Sequence, residues 1–177
     1  YGHSDPVIRA AVSEALHSGL NLSSHTERES LLARELQRRF PALELLRFTN
    51  SGTEANLMAV ATATAMTERR KVLVFKGGYH GGVLAFGQGS GPVNVPHEWI
   101  VARYNDLEDV HAQVAPHRKD LAAILVEPML GSGGCIPADV EFLQGLRTLA
   151  NDTGALLIFD EVMTSRRSFG GGQGLLG

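Results

Sequence analysis

The sequence of 177 residues holds one cysteine, Cys135, so no disulfide can form within it. Cys135 closes a glycine-rich stretch at 131–135 (GSGGC), with no base beside it, and reads as a loop thiol rather than a nucleophile. Long apolar runs are also missing. None approaches the ~20 residues that a membrane-crossing helix needs, so no membrane partner is expected. Neither sign of charge dominates. A net charge of −3 gives no electrostatic case for binding nucleic acid or an anionic membrane surface. No pair of histidines has metal-ligand spacing with carboxylates in support, and no metal is expected. A signal-peptide pattern is not visible, and the expected location is the cytoplasm. Lysine is scarce, with only Lys71, Lys76 and Lys119. Apolar residues, by contrast, make up 44% of the chain against 20% charged, the balance of a globular core rather than a disordered segment.

The most informative run is 155–162 (ALLIFDEV), where five apolar residues end in two carboxylates. Such a run suits a strand buried on both faces of a parallel sheet. Its acids would then stand at the carboxyl edge, where open α/β sheets bind ligands. An acid placed there is either an ordinary loop residue or the partner of a buried cation such as a protonated ring nitrogen. Residues 122–128 (AAILVEP) repeat the pattern, with Glu127 ending the strand and Pro128 stopping it. Residues 71–82 (KVLVFKGGYHGG) run a third strand into glycines that expose Tyr79 and His80, an aromatic able to stack on a flat heterocycle and an imidazole.

A fourth segment is 48–56 (FTNSGTEAN). Residues 45–48 read as a short strand, and an apolar, alanine-rich helix follows from Glu54. Ser51, Gly52 and Thr53 therefore lie at a strand-to-helix turn. Free amides at a helix start bind anions, and the glycine allows close approach. Ordinary N-capping by Ser51 or Thr53 accounts for the same residues.

Together these segments resemble the class III aminotransferases, pyridoxal-phosphate enzymes of fold type I, in the glutamate-1-semialdehyde aminomutase-like branch. The matching stretches are 48–56 (FTNSGTEAN), 78–81 (GYHG), 104–108 (YNDLE), Glu127-Pro128 and 154–163 (GALLIFDEVM), with Gly2, His3, Pro6, Arg167, Gly171 and Gln173 in support. The resemblance runs in order over nearly the whole chain. It implies that Ser51, Gly52 and Thr53 hold the phosphate of pyridoxal 5′-phosphate and that Tyr79 stacks on its ring. It implies that His80 lies near the ring or substrate, that Asp160 pairs with the protonated ring nitrogen, and that Val162 packs on the other ring face. Glu127 would lie on the side of the phenolic oxygen. His80, Glu127 and Asp160 are thereby the expected catalytic residues. The implied reaction moves an amino group from an amino acid or amine to an oxo acid or aldehyde. A glutamate-1-semialdehyde-type aminomutase is the alternative, and a non-catalytic homologue without the Schiff-base lysine is a third reading.

The family's lysine lies downstream of the Asp-Glu-Val motif, whereas Lys71, Lys76 and Lys119 all lie upstream. Lys76 reads as an exposed strand-end residue. The expected fold is a three-layer α/β/α large domain with a mostly parallel sheet, incomplete here. Residues 1–177 are expected to form part of that cofactor-binding domain, with an N-terminal arm and a C-terminal small domain outside them and a homodimer in the full-length protein. Helices are expected from Pro6 to about Gly19, from Glu27 to Phe40, from Asp106 to Val114 and from Pro137 to Asp152. Thr26 and Glu29 have capping-box spacing. Strands are expected at 71–76, 99–102, 122–127 and 155–160, with 83–97 and 131–134 as loops.

Overall fold

The structure is a computed structural model that describes residues 1–19 and 23–176. The domain assignment over 1–177 thus includes Leu20, Asn21, Leu22 and Gly177, which lie outside the described residues. The chain forms two compact units, Tyr1–Leu46 and Arg47–Gly177.

The first unit holds two helices. α1 (Pro6–Leu16) starts with Pro6 in its first turn, and the Asp5 carboxylate accepts the amides of Val7 and Ile8. α2 (Glu27–Arg39) is entered through the expected capping box. Thr26 Oγ1 accepts from the Glu29 amide, and Glu29 Oε2 accepts from the Thr26 amide.

The second unit opens with α3 (Gly52–Thr67), whose buried residues Asn56, Val60 and Ala63 recur at i, i+4 and i+7. β1 (Lys71–Phe75) follows, then a short antiparallel pair, β2 (Gly78–Tyr79) with β3 (Ala85–Phe86). β4 (Glu98–Ala102) leads through Asp106, which caps α4 (Leu107–Val114). β5 (Leu121–Val126) comes next, then the pair β6 (Met129–Leu130) with β7 (Ile136–Pro137). α5 (Val140–Thr153) is closed by Gly154 in the left-handed region, where a glycine carries no Cβ penalty. β8 (Leu156–Phe159) and a short α6 (Gln173–Leu176) complete the unit.

The main sheet has the order β4-β1-β5-β8, and every pairing in it is parallel. Side chains alternate between its faces. Val72, Val74, Ala123 and Leu125 pack with Val60 and Ala63 of α3 on one side. Leu73, Phe75, Ile124 and Val126 pack with Val110 and Val114 of α4 and with Phe142, Leu146 and Leu149 of α5 on the other. The expected three-layer α/β/α arrangement with a parallel sheet is what the chain adopts. β1 connects onward to β4 and β5 onward to β8, on opposite sides. The switch point, and the crevice that comes with it, lies between β1 and β5 at their carboxyl ends.

Four expectations change. The strand expected at 45–48 does not form. Among the described residues no strand pairs with it, and Leu45 is 91% exposed; a two-leucine apolar run without a ladder partner has nothing to hold it extended. The strand at 155–160 is present but is only half-buried over Leu156–Phe159, because β8 is the edge of the sheet in this chain. α5 begins at Val140 rather than Pro137, since Ile136 and Pro137 are drawn into pairing with Leu130 and Met129. The loop expected at 83–97 contains β3, which pairs back onto the Tyr79 segment.

Candidate functional site

The segments that follow β1, β5 and β8 converge with the start of α3 at the carboxyl edge. They enclose a cavity of about 400 Å³ whose wall includes Gly52, Thr53, Tyr79, His80, Glu127, Asp160 and Val162. The wall also takes in Asn56, Gly81, Gly131, Ser132 and Met163. Seven of the eight residues singled out in the sequence therefore meet in one place. The eighth, Ser51, adjoins Gly52 and caps α3: its Oγ accepts from the Glu54 amide at 3.2 Å, which leaves its hydroxyl proton free to donate.

One part of the cavity wall is the start of α3. The amides of Gly52 and Thr53 are the first two of a 16-residue helix, which no carbonyl within the helix can reach. Thr53 Oγ1 accepts from the Gly82 amide at 3.3 Å, which leaves its hydroxyl proton free to donate. The backbone of Gly81 passes so close that a Cβ there would overlap the Thr53 side chain, and its φ of +132° also demands glycine. Tyr79 stands half exposed on the cavity wall, and Val162 is largely exposed.

Asp160 lines the same cavity and is 8% exposed. Its Oδ2 is 2.9 Å from His80 Nδ1 and accepts from Asn56 Nδ2 at 2.8 Å. Its Oδ1 accepts from the Val162 amide at 3.1 Å. Burial by itself raises such a carboxyl. The hydrogen bond from His80, the Val162 amide, the His80 charge and the Asn56 amide outweigh it, and Asp160 is held below the ordinary carboxylate range. His80 is 3% exposed, and with Asp160 ionised its Nδ1 carries the proton.

Glu127 is equally deep, 5% exposed, and is held differently. Oε1 accepts from the Tyr79 amide at 2.9 Å and Oε2 from the Gly131 amide at 2.8 Å. Its carbonyl accepts from Tyr104 Oη at 2.7 Å. Tyr104 packs edge-on against Phe75, and burial followed by the nearby Glu127 and Asp139 charges pushes its hydroxyl far up. Glu161, the second acid of the pair at 160–161, faces away. It accepts from the Gly172 and Gln173 amides and from Thr164 Oγ1, and so folds the segment at 164–173. Among the described residues no lysine lines the cavity. Lys76 is exposed as expected, Lys119 is exposed, and Lys71 pairs with Glu98 at 2.9 Å.

Asn56 and the hydrogen bond between His80 and Asp160 were not readable as such in the sequence. Asn56 stands three residues beyond the turn at Thr53, on the buried stripe of α3. That spacing is the only local signal, and its partners lie 24 and 104 residues away.

An edge of this kind belongs to α/β domains that bind a small anionic ligand at a switch point. The chain belongs to the class III aminotransferase family, whose sequence model, "Aminotransferase class-III", matches residues 1–171. It is similar to a β-phenylalanine transaminase of Variovorax paradoxus, with 56% identity over 166 residues, 94% of this chain and 38% of that protein. The crystal structure of the β-phenylalanine aminotransferase from that organism superposes with a TM-score of 0.95 at 54% identity, covering all of this chain and 41% of the other. A glutamate-1-semialdehyde 2,1-aminomutase of Desulfitobacterium hafniense (strain DSM 10664 / DCB-2) is 40% identical over 98% of this chain and 44% of its own length. A solved structure described as a transaminase with PLP bound gives a TM-score of 0.89 at 35% identity, over all of this chain and 45% of that one. The chain thus spans about two fifths of the length of the relatives it matches.

Proposed function

We propose that the protein containing this chain is a pyridoxal-phosphate-dependent transaminase that moves an amino group between an amino acid or amine and an oxo acid or aldehyde. The observation that carries the reading is the buried Asp160 carboxylate, held ionised inside a cavity that also opens onto the start of α3. A buried carboxylate calls for a cation, and an open helix start for an anion. A phosphorylated, ring-protonated pyridine supplies both, so the residues fit pyridoxal 5′-phosphate. Membership of the family and the likeness to PLP-bound transaminase structures support the same cofactor.

In this reading Ser51, Gly52 and Thr53 hold the phosphate through amides and hydroxyls, and Ser51 also caps the helix that presents them. Tyr79 and Val162 flank the ring. Asp160 keeps the ring nitrogen protonated, His80 keeps Asp160 ionised, and Glu127 borders the phenolic-oxygen side while fixing the Tyr79 backbone. Bound there, the cofactor supplies an electron sink for cleavage at the substrate's amino carbon. The proton at that carbon requires a lysine, which we place in the part of the protein beyond this chain.

Identity of 56% to a transaminase against 40% to an aminomutase favours amino transfer over internal rearrangement. Residues 1–177 form part of the cofactor-binding domain, and a homodimer in the cytoplasm is the state we propose for the full-length protein. The structure has no helix long and apolar enough to cross a membrane among the described residues. The test is the absorbance of the full-length protein with pyridoxal phosphate before and after borohydride reduction. The reading expects a visible band that reduction fixes to a lysine, together with turnover of an amino donor. Reversible binding without fixation, or none, would overturn it.

A further inference from the structure

One helix, α3, starts at one part of the cavity and carries a side chain that grips Asp160 in another. Asn56 is 7% exposed and sits on α3 four residues after Gly52 and three after Thr53, hence on the same face of the helix. Its amide nitrogen lies 2.8 Å from Asp160 Oδ2 and 3.0 Å from the main-chain oxygen of His80. A carboxamide nitrogen has two N–H groups in one plane, and both are used. One rigid helix thus presents Gly52 and Thr53 to the cavity and, one turn on, grips the Asp160 carboxylate and the loop that carries Tyr79 and His80.

Counting acceptors on Asp160 shows what this does. Oδ2 takes both Asn56 and His80, while Oδ1 takes only the Val162 amide. With two lone-pair sites on each oxygen, Oδ2 is full and Oδ1 keeps one. We propose that Asn56 is a positioning residue that saturates Oδ2, fixes the carboxylate plane and leaves Oδ1 as the oxygen presented to a ring N–H. The inference rests on the pyridoxal-phosphate reading above and assigns within it the group that sets the distance between phosphate and ring nitrogen. Asn56 is neutral, so its hydrogen bond orients the carboxylate without placing a charge beside it.

The test uses the full-length apo-protein and two probes that bind without covalent attachment. These are pyridoxine 5′-phosphate and its analogue with the ring nitrogen replaced by carbon. Wild type should bind the first more tightly. Asn56→Ala should weaken pyridoxine 5′-phosphate by roughly tenfold, the scale of one hydrogen bond to a charged group, and leave the carbon analogue within about twofold. Asn56→Ser, one donor short and too short to span both partners, is the second variant if alanine impairs folding, and should show the same selectivity. Equal weakening of both probes would mean that Asn56 only supports the fold, and no weakening of either would show that it positions nothing. Both outcomes overturn this inference and leave the cofactor reading standing. Failure of wild type to bind either probe would instead overturn the cofactor reading itself.

Discussion

β5 is buried along its whole length, whereas β8 is the half-buried edge of the sheet, yet the acids that follow them are equally deep. Burial of a carboxylate at this edge is therefore set by the segments that pack around it, not by the strand that delivers it. The two acids differ in what holds them. Glu127 is gripped by two backbone amides, donors that neither titrate nor turn. Asp160 is gripped mainly by side chains, one of which is a histidine. A backbone grip makes a clamp for the loops at 79 and 131. A side-chain grip leaves one acceptor position open on Asp160 Oδ1, inside the cavity.

Substitutions can break that contrast, and the largest effect is expected at Asp160. Asp160→Asn removes the charge while keeping the shape. Affinity of the full-length protein for pyridoxal phosphate should fall by roughly 10- to 100-fold, the loss of a charge-assisted hydrogen bond, with activity falling alongside. Titration of the apo-protein with cofactor measures it, and unchanged affinity would remove Asp160 from the site. A pH series sharpens the point. The folded pKa of Asp160 lies below its unfolded value, so its stabilising effect is present above the ordinary carboxylate range and is lost as pH falls through the folded value. The stability difference between wild type and Asp160→Asn should shrink on acidification; a difference that grows would reverse the assignment.

Gly81→Ala should come next, since its Cβ would collide with Thr53 at a φ that side chains rarely adopt. A stability loss of about 1–3 kcal/mol is expected, with weakened phosphate binding, as urea unfolding and phosphate titration would show. Glu127→Gln should cost about 1–3 kcal/mol of stability, because an amide NH₂ must then face the Tyr79 or the Gly131 N–H. Cofactor affinity should change much less than in Asp160→Asn. The smallest effect is expected at Val162, which is 71% exposed. Val162→Ala should leave unfolding within about 0.5 kcal/mol of wild type while weakening the cofactor a few-fold. A large loss of stability there would contradict its exposure.

Much of this was legible from sequence. The runs at 72–75 and 121–126 are continuous and apolar because both faces of those strands are covered, and they announced a parallel sheet. Thr26 and Asp106 marked helix starts because capping is a local interaction. The two-residue pairs at 78–79 with 85–86 and at 129–130 with 136–137 were hidden, since so short a bridge has no periodicity. Leu45 and Leu46 imitated a strand for the opposite reason, being apolar without a partner. Separate acids at 127 and 160 were visible, but not the mode in which each is held. The Asn56, His80 and Asp160 contacts join residues up to 104 apart, a distance that no local pattern reports. Glu161, an acid like its neighbour, was set apart from Asp160 in the sequence by the family resemblance alone, and the fold turns it toward Gly172.

The most direct test of the contrast is the dissociation constant of pyridoxal phosphate for Asp160→Asn and Glu127→Gln, measured side by side in the full-length apo-protein. The loss at Asp160 should be at least roughly tenfold greater than at Glu127, with Glu127→Gln showing its effect in unfolding instead. Equal losses of affinity would contradict it, because the two carboxylates would then serve the same end.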